Sequence, residues 1–426
     1  MLRAAALPHT FEPMPPSPVQ SPQTPRYQVK REAILSAAAL LFNEQGVKGA
    51  TLSGIAGSVG LVTNSVTYYY RKKEDLATAC FLRSIAAFDT LADTAAKEIS
   101  VPARLRAFFR LHAQLLADID EGQHAPIVHF NDIRALPDAQ AAEVFAAYTS
   151  MFRRVRGLLK GAETSQLARD DLNARGHIVL SVAHWVRSWI GRYETDEYPR
   201  VADRVSDILL HGIAAPGSAW KATDGESAWQ LASGADSTSE AFLRAATLLV
   251  NEQGYRGASV DKISARLNVT KGSFYHHNDN KHDLISECFE RSFAVTRQAL
   301  ALAENSPGSG WSRACAAARA LVRFQLSADG PLLRTSATSA LPDQPHRERV
   351  RVTLRRLTER MASVVVDGMM DGSIRPLDPG IAAQSAIAAI NAAAELHRWA
   401  PNANLDNVAD LYVRPAFEGV LCPRHG

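Results

Sequence analysis

The sequence predicts an all-α protein made of two tandem units, each with a three-helix helix-turn-helix head followed by a helical domain. Apolar residues recur at helical spacing, as at Ile34, Leu35, Ala38, Leu41 and Phe42, and no convincing period-2 strand pattern is present. The head sequence occurs twice, 208 positions apart. Of 54 positions compared without gaps, from 31–84 against 239–292, 22 are identical. We therefore expect an internal duplication rather than a short-period solenoid.

Composition excludes several classes of protein. The 426 residues carry a net charge of only +3, so the chain is not a polycationic nucleic-acid coat. No run approaches 18 apolar residues, and the apolar run near the N-terminus is too short for a signal peptide. The four cysteines have no metal-type spacing: Cys80, Cys288, Cys315 and Cys422. We predict a cytoplasmic protein without metal, cofactor or membrane span.

The first head is predicted from its capping residues. Residues 1–23 are rich in proline and predict a disordered tail. Thr24 can cap a first helix that ends at Gly46, and Thr51 can cap a second helix that ends before Gly60. A third helix follows over about 63–70, and a fourth begins at Lys73.

The second head repeats this arrangement. A helix over about 260–267 follows Ser259, and Asn268-Val269 forms the turn. Thr270 can cap the next helix, which opens with Lys271-Gly272-Ser273. In a helix-turn-helix this second helix lies in the DNA major groove, so DNA binding is the function that the pattern favours.

Helical segments separated by proline and glycine follow each head. We predict them at about 102–119, 125–134, 137–161, 167–193 and 198–213, then 311–327, 331–340, 345–371, 378–400 and 404–420. Pro216 to Asp236 predicts a flexible linker. The predicted domains are the tail 1–23, head 24–76, helical domain 77–215, linker 216–236, head 237–284 and helical domain 285–426.

Each copy resembles the TetR family of bacterial transcriptional regulators over about 25–213 and 237–421, most specifically in the heads. The first copy supplies Arg31, Ile34-Leu35, Ala38, Phe42, Gly46, Thr51-Leu52, Ile55-Ala56, Gly60-Leu61, Ser65-Val66, Tyr68-Tyr69-Tyr70 and Lys73-Glu74-Asp75-Leu76. The second supplies Leu243, Ala246, Gly254, Ser259-Val260, Ile263-Ser264, Val269 to Tyr275 and Lys281 to Leu284. The sequence departs from the family pattern at Val62, Asn64 and Thr67, and at His276, His277, Asn278 and His282.

The resemblance implies which residues contact DNA. In the first head they are Thr51, Thr63, Asn64, Ser65, Thr67, Tyr68, Tyr69 and Lys73. In the second they are Ser259, Thr270, Lys271, Gly272, Ser273, Tyr275, His276, His277 and Lys281. By chemistry, Asn64 suits an adenine edge and Lys271 a guanine, while Lys73 and Lys281 suit phosphates. Gly272 permits close approach of the backbone.

Several of these residues have a structural alternative. We expect Val66, Tyr70 and Phe274 in the core of the heads, and Tyr68 and Tyr69 are alternatively plain surface aromatics. The adjacent histidines of the second head point in different directions, so they make a poor metal pair. Cys80 and Cys288 occupy equivalent positions and are expected to be buried. For His184, Trp185 and Trp189 we expect packing or interface roles rather than ligand contacts.

The resemblance also implies how the chain assembles and responds, since it makes 77–215 and 285–426 helical regulatory and dimerisation domains. Helices near 167–213 are expected to pack against helices near 378–421, which gives an intramolecular pseudo-dimer with double-stranded DNA as its partner. The alternative is a homodimer of tandem chains. A small apolar or acyl-thioester-like effector is expected among 102–193 or 311–400. Apolar candidates in the first half are Phe108, Phe109, Leu115, Phe130 and Phe145, each of which is alternatively plain core.

The leading hypothesis is a sequence-specific DNA-binding transcriptional regulator, a ligand-responsive repressor. The alternative is a degenerate unit that has lost DNA binding and serves as a ligand-binding or protein-interaction module. An enzyme has no support, because the sequence shows no nucleophile elbow, phosphate-binding loop, zinc motif or paired-carboxylate motif.

Overall fold

The computed structural model describes residues 24–222, 226, 229, 231, 238–272, 281–341 and 344–423. The predicted tail at 1–23 lies outside them. The first half contains helices α1 Pro25–Gly49, α2 Leu52–Ser58, α3 Thr63–Tyr69, α4 Lys73–Ala95, α5 Val101–Asp120, α6 Asp138–Gly157, α7 Arg169–Val186 and α8 Tyr198–His211. The all-α prediction is confirmed. In the described part of the chain, extended pairing is limited to one isolated bridge, between Ala214 and Ile374.

The second half repeats the order of helices. It contains α9 Thr238–Gly257, α10 Val260–Arg266, α11 Lys281–Glu304, α12 Gly310–Leu326, α13 Gln344–Met370 and α14 Pro379–Ala392. A π-helix, Ala409–Val413, leads into α15, Arg414–Glu418. Across the described ranges, no helix has the length and apolar character needed to cross a membrane.

Two predicted helices after the heads are much shorter than expected. The segment predicted at 125–134 is helical only as the 3₁₀ helix Phe130–Ala135, and that at 331–340 only as Thr335–Ala340. The reason is tertiary: side chains of the head bind the backbone of the preceding residues, which leaves those groups out of a helix. The helices predicted to end at 193 and 400 likewise finish in 3₁₀ turns, Ile190–Arg192 and Ala393–Arg398.

Local sequence accounts for the ends of the head helices. Thr24 accepts a hydrogen bond from the backbone N–H of Tyr27 at 3.3 Å, and Thr51 accepts one from Gly54 at 3.0 Å. Helix α1 is interrupted at Gly46, whose φ of 70° few other residues adopt. Helix α9 has the same interruption at Gly254, with φ 71°. The two heads are therefore built from the same local signals.

The two heads share an equivalent contact in their cores, between α1 and α4 in the first head and between α9 and α11 in the second. The Cys80 thiol lies 3.5 Å from the carbonyl of Leu35, and the Cys288 thiol lies 3.5 Å from that of Leu243. Burial raises the pKa of both thiols to about 12. Both cysteines are therefore neutral and buried, as the sequence predicted.

The two halves meet through α7 and α8 of the first and α14 and α15 of the second, together with the π-helix. Polar side chains cross this joint. Asn173 donates to the carbonyl of Trp399 at 2.6 Å, and Trp185 Nε1 donates to Gln384 at 2.8 Å. Arg175, only 3% exposed, donates to the carbonyl of Val420 at 2.8 Å. All three contacts join the intervals 167–213 and 378–421, which the sequence predicted to pack together.

The described residues of the predicted linker make contacts with the second half. Trp220 Nε1 donates to Asp410 at 2.7 Å. Glu226 forms a buried ion pair with Arg319, whose guanidinium also lies 4.8 Å from the Trp220 ring centroid. A buried ion pair requires matched geometry, so this stretch is docked on the second half at these points.

Acid is expected to destabilise the fold through His112 on α5. Burial, and then the charge of Arg187, lower the pKa of His112 to about 4. The ordinary value near 6.5 applies in the unfolded chain, so the unfolded state binds the extra proton as pH falls below about 6.5. The free energy of unfolding should therefore fall by about 2 kcal/mol from this residue between pH 7 and pH 5.

Urea unfolding at pH 7 and pH 5 measures this loss. His112→Leu should reduce the pH dependence by about the same amount, because the leucine does not titrate. Exposed His397, changed to glutamine, serves as the control for replacing a histidine at the surface. An unaltered dependence in His112→Leu would contradict the assignment.

Candidate nucleic-acid interface

In the first head, α3 is buried along one side and exposes polar side chains elsewhere. Helix α3 buries Val66 completely, and Tyr70, directly after it, is 8% exposed. Thr63, Asn64 and Tyr68 are exposed on the other face. Packing on one side of a short helix thus fixes which side chains face outward.

The remaining predicted contacts of this helix are partly covered. Ser65, Thr67 and Tyr69 are half-buried, and the Thr67 hydroxyl donates to the carbonyl of Asn64 at 3.0 Å. Val62 occupies the N-cap position of α3. Its side chain has no oxygen, so it accepts no hydrogen bond from the first N–H groups of the helix. Exposed helix N–H groups are suited to phosphate oxygens.

Three tyrosines form a surface cluster on the first head. Tyr69 lies 4.7 Å from Tyr27 of α1, and Tyr68 lies 5.2 Å edge-on to Tyr69, measured between ring centroids. Tyr68 remains 75% exposed despite this contact. The cluster holds the Tyr68 ring at a defined place on the outer face.

Both predicted phosphate anchors also hold the end of a helix. Lys73 donates to the carbonyl of Ala50 at 2.9 Å, beyond the kink in α1. Lys281 donates to the carbonyl of Tyr255 and lies 4.0 Å from the centroid of that tyrosine ring. The equivalent placement fixes each ammonium at the junction of its head. A DNA phosphate at either lysine would share the ammonium with these existing contacts.

The second head is described over residues 238–272 and again from Lys281 onward. Ser259 accepts a hydrogen bond from Lys262 N–H at 3.3 Å and so caps α10. Exposed Lys271 pairs with Asp261 at 2.5 Å, and a β-carbon at Gly272 would lie 3.7 Å from the Thr270 hydroxyl oxygen. Of the other predicted contacts, Thr270 is exposed; Ser273, Tyr275, His276 and His277, like the predicted core residue Phe274, lie outside the described residues.

Asn268 makes the turn of the second head. Its φ of 55° is the one positive value found for a residue other than glycine in the described chain. Asparagine tolerates this left-handed conformation better than most residues. The turn predicted at 268–269 is thus present.

A set of polar residues that the sequence analysis missed joins the first head to its regulatory domain. Asn43, Arg83 and Ser84 bind the backbone of residues 126–129 through four hydrogen bonds of 2.7–2.8 Å. We call these three the clamp residues of the first unit. They fix the position of α1 and α4 relative to the segment that leads into the 3₁₀ helix at 130–135.

The second unit has the same clamp residues, Asn251, Arg291 and Ser292. They bind the backbone of residues 329–334 at 2.6–3.0 Å. All three are identical to their counterparts at the 208-residue offset. Identity of polar residues between two diverged copies was the signal that could have found them.

One acidic residue connects the two units near the heads. Glu395 accepts from Arg334 of its own half at 2.6 Å and from Arg134 of the first half at 3.1 Å. Burial alone would raise its pKa, but Arg334 and then Arg134 hold the pKa at about 2. Arg134 also donates to the backbone carbonyl of Asn251 at 3.0 Å. The first unit thus contacts a clamp residue of the second head.

The apolar effector candidates of the first half fall into two groups. Phe108, Phe109 and Leu115 of α5 are buried in the core. Phe130 and Phe145 are partly buried, and Phe130 lies 5.1 Å from the His184 ring. Trp185 takes part in the joint between the halves and Trp189 is 4% exposed, in keeping with packing roles.

Comparison with known families identifies the heads. The family model for bacterial regulatory proteins of the tetR family matches residues 34–80 and again 242–288. The chain belongs to the TetR family. The two matches make it a tandem TetR-family protein, with one head at the start of each unit.

Two curated relatives match parts of the chain. The transposon Tn10 TetC protein of Escherichia coli is 37% identical over 76 residues, which is 18% of this chain and 38% of that protein. The biofilm operon icaADBC negative transcriptional regulator IcaR of Staphylococcus epidermidis is 40% identical over 48 residues, or 11% of this chain and 26% of IcaR. The chain therefore spans well under half the length of these relatives.

Solved structures of single TetR-family chains align with about two fifths of this chain. A regulator from Bordetella parapertussis is 18% identical with a TM-score of 0.38, covering 43% of this chain and 94% of that one. AibR, solved in complex with isovaleryl coenzyme A and operator DNA, is 20% identical with a TM-score of 0.33, covering 42% and 97%.

Proposed function

We propose that the chain is a sequence-specific DNA-binding transcriptional regulator whose two heads read one operator. The observation that carries this is the outer face of α3, where exposed Thr63, Asn64 and Tyr68 stand on buried Val66. Short polar groups at a helix start suit phosphates, and an asparagine amide suits an adenine edge. The duplicated family match supports a second reader.

We further propose that the two units form a pseudo-dimer within one chain. The packing of α7 and α8 against α14 and α15 supports it, as does the ion pair between Arg204 and Asp378 at 2.8 Å. Two heads of a symmetric dimer read half-sites about one turn apart, roughly 34–36 Å. Since the two readers differ in sequence, the half-sites should differ too.

Light scattering of the free protein tests this arrangement. We expect the mass of a single chain, 46.3 kDa. The rival arrangement, a homodimer of tandem chains with four heads, would give twice that mass and would contradict the single-chain pseudo-dimer.

The proposed regulator is a ligand-responsive repressor. The clamp residues support responsiveness, because they tie each head to the regulatory helices by hydrogen bonds rather than by a free hinge. IcaR, one of the matched relatives, is named a negative regulator. A reporter gene behind the upstream DNA of this chain's own gene tests the sign: expression should rise when the chain is removed.

The affinity for DNA should fall steeply as the salt concentration rises. Lys73 and Lys281, the two lysines at the head junctions, should account for part of this salt dependence. Phosphate contacts release counterions, so Lys73→Ala and Lys281→Ala should each reduce the slope of log affinity against log salt by about 1. Mobility-shift titrations at several salt concentrations measure the slope.

Lys97 provides the control for these titrations. It is exposed and follows α4, whose 23 residues place it about 35 Å from Lys73 at 1.5 Å per residue. Lys97→Ala should keep the full slope. Binding that is absent or insensitive to salt would favour the alternative, a TetR-like ligand-binding or protein-interaction module without DNA binding.

A further inference from the structure

An open cleft of about 490 Å³ lies where the two halves meet. Helices α6 and α7 of the first half form one side, and residues 398–402 of the second half form the other. The cleft therefore exists only when the two units are packed together. None of the apolar effector candidates named from the sequence lines it.

The cleft is strongly basic. Four arginines line it, Arg153, Arg156, Arg169 and Arg398, and among its lining residues the single carboxylate is Asp170. That carboxylate already accepts a hydrogen bond from the backbone N–H of Asn402 at 3.2 Å. A concentration of uncompensated positive charge in a concave site attracts anions.

Arg156 is held in place but incompletely satisfied. One of its terminal nitrogens donates to Asn173 at 2.8 Å, while its Nε is buried with no hydrogen-bond partner among the described residues. Its stem packs so closely on Gly176 that a β-carbon there would lie 2.9 Å from Arg156 Cβ. Burial, and then the charges of Arg169 and Arg153, lower the pKa of Arg156. A bound anion would reduce the electrostatic repulsion among these arginines.

The floor of the cleft is rigid. The Trp399 ring stacks on Phe152 at 3.8 Å between centroids, and the Trp399 carbonyl accepts from Asn173 at 2.6 Å. The Arg398 guanidinium lies 4.3 Å from the Phe145 ring centroid and 5.1 Å from that of Trp399. Aromatic contacts fix a guanidinium without neutralising it.

We propose that this cleft binds a small anion that carries a phosphate group. Guanidinium groups match phosphate oxygens through paired hydrogen bonds, and several converging on one ligand favour multiple negative charges. Residues of both units would contact the anion, so its binding stabilises their joint. The role of this anion as the effector of the regulator rests on the proposed function. The binding of the anion to the cleft is independent of that function.

Calorimetric titration of the full chain with pyrophosphate tests the proposal. Arg153, Arg169 and Arg398 are exposed, so their change to glutamine should spare the core. We expect saturable binding, weakened about 10-fold by each single change and at least about 100-fold by the triple variant. Arg154→Gln is the matched control: this neighbour on α6 pairs with Asp89 and Asp93, outside the cleft, and should bind as the parent does.

Three outcomes would overturn the proposal: no saturable binding of pyrophosphate, equal weakening in Arg154→Gln, or displacement of pyrophosphate by duplex DNA with the cleft arginines required for DNA binding. The last would make the cleft a DNA contact. Circular dichroism of each variant separates loss of binding from loss of fold. Pyrophosphate binding in a chain that fails to bind DNA would refute the proposed function and leave this site standing.

Discussion

Replacing Gly212 with alanine is expected to lower the free energy of unfolding by at least about 3 kcal/mol. Gly212 follows α8 with φ 65°, and a β-carbon there would overlap the backbone of Phe417 and Glu418. At the same crossing, Ile213 N–H donates to the carbonyl of Phe417 at 2.8 Å and Val420 N–H donates to that of Leu209 at 2.7 Å. The added carbon must push the two halves apart, because backbone cannot move aside as a flexible side chain can.

Gly217 offers the matched control. Its φ is 89°, also in the left-handed half of the map, but a β-carbon there would lie more than 4 Å from every other atom of the described residues apart from its two chain neighbours. Gly217→Ala should therefore show only the conformational cost, about 1–2 kcal/mol. Denaturant unfolding of both variants gives the comparison. Equal losses in the two variants would mean that the crossing of the halves contributes nothing to the joint.

The double change Asn64→Ala and Tyr68→Ala is expected to weaken operator binding by about 3 kcal/mol, or roughly 100-fold. Both side chains are exposed, so the loss should leave the folded head intact. Asn64→Ala alone should also relax the preference for one base, since an amide contact to a base edge carries sequence information. Fluorescence anisotropy with the native site and single-base variants measures both effects.

Ile99 provides the comparison for that experiment. It is 94% exposed and lies beyond the far end of α4, so Ile99→Ala should bind as the parent does. If the double variant kept full affinity with an unchanged thermal transition, the assignment of the outer face of α3 as a reader would be wrong. The contacts proposed for the second head would then have to provide the binding.

Local signals accounted for most of the helix ends in the heads. Thr24, Thr51 and Ser259 act as caps because a threonine or serine oxygen can satisfy helix N–H groups within three residues. The kinks at Gly46 and Gly254 follow equally from the residue itself. Such features depend on a few neighbouring residues, which a sequence displays directly.

Features that depend on distant parts of the chain could not be predicted. The segment at 125–129 looked helical, yet its backbone is bound by Asn43 and Ser84 instead. The ion pairs of Glu395 join residues far apart in sequence. Charged residues on separate helices carry no periodicity that marks them as neighbours, so the basic cleft was also missed.

The contacts of Arg134 give the two units a physical connection. Its guanidinium reaches both Glu395, three residues before the Arg398 side of the cleft, and the backbone of Asn251 in the second head. A change at the cleft would therefore have a short route to a clamp residue. Because the two units of a single chain can differ, the first head need not have an equivalent connection to the cleft.

The most direct test of the proposed two-headed reader is sequencing of the DNA fragments that the full chain retains from a random pool. We expect an enriched site with two unequal half-sites at one fixed separation, about one helical turn from centre to centre. Two different readers tied in one chain require this inequality. A single half-site, a perfect palindrome or no enriched sequence would contradict it.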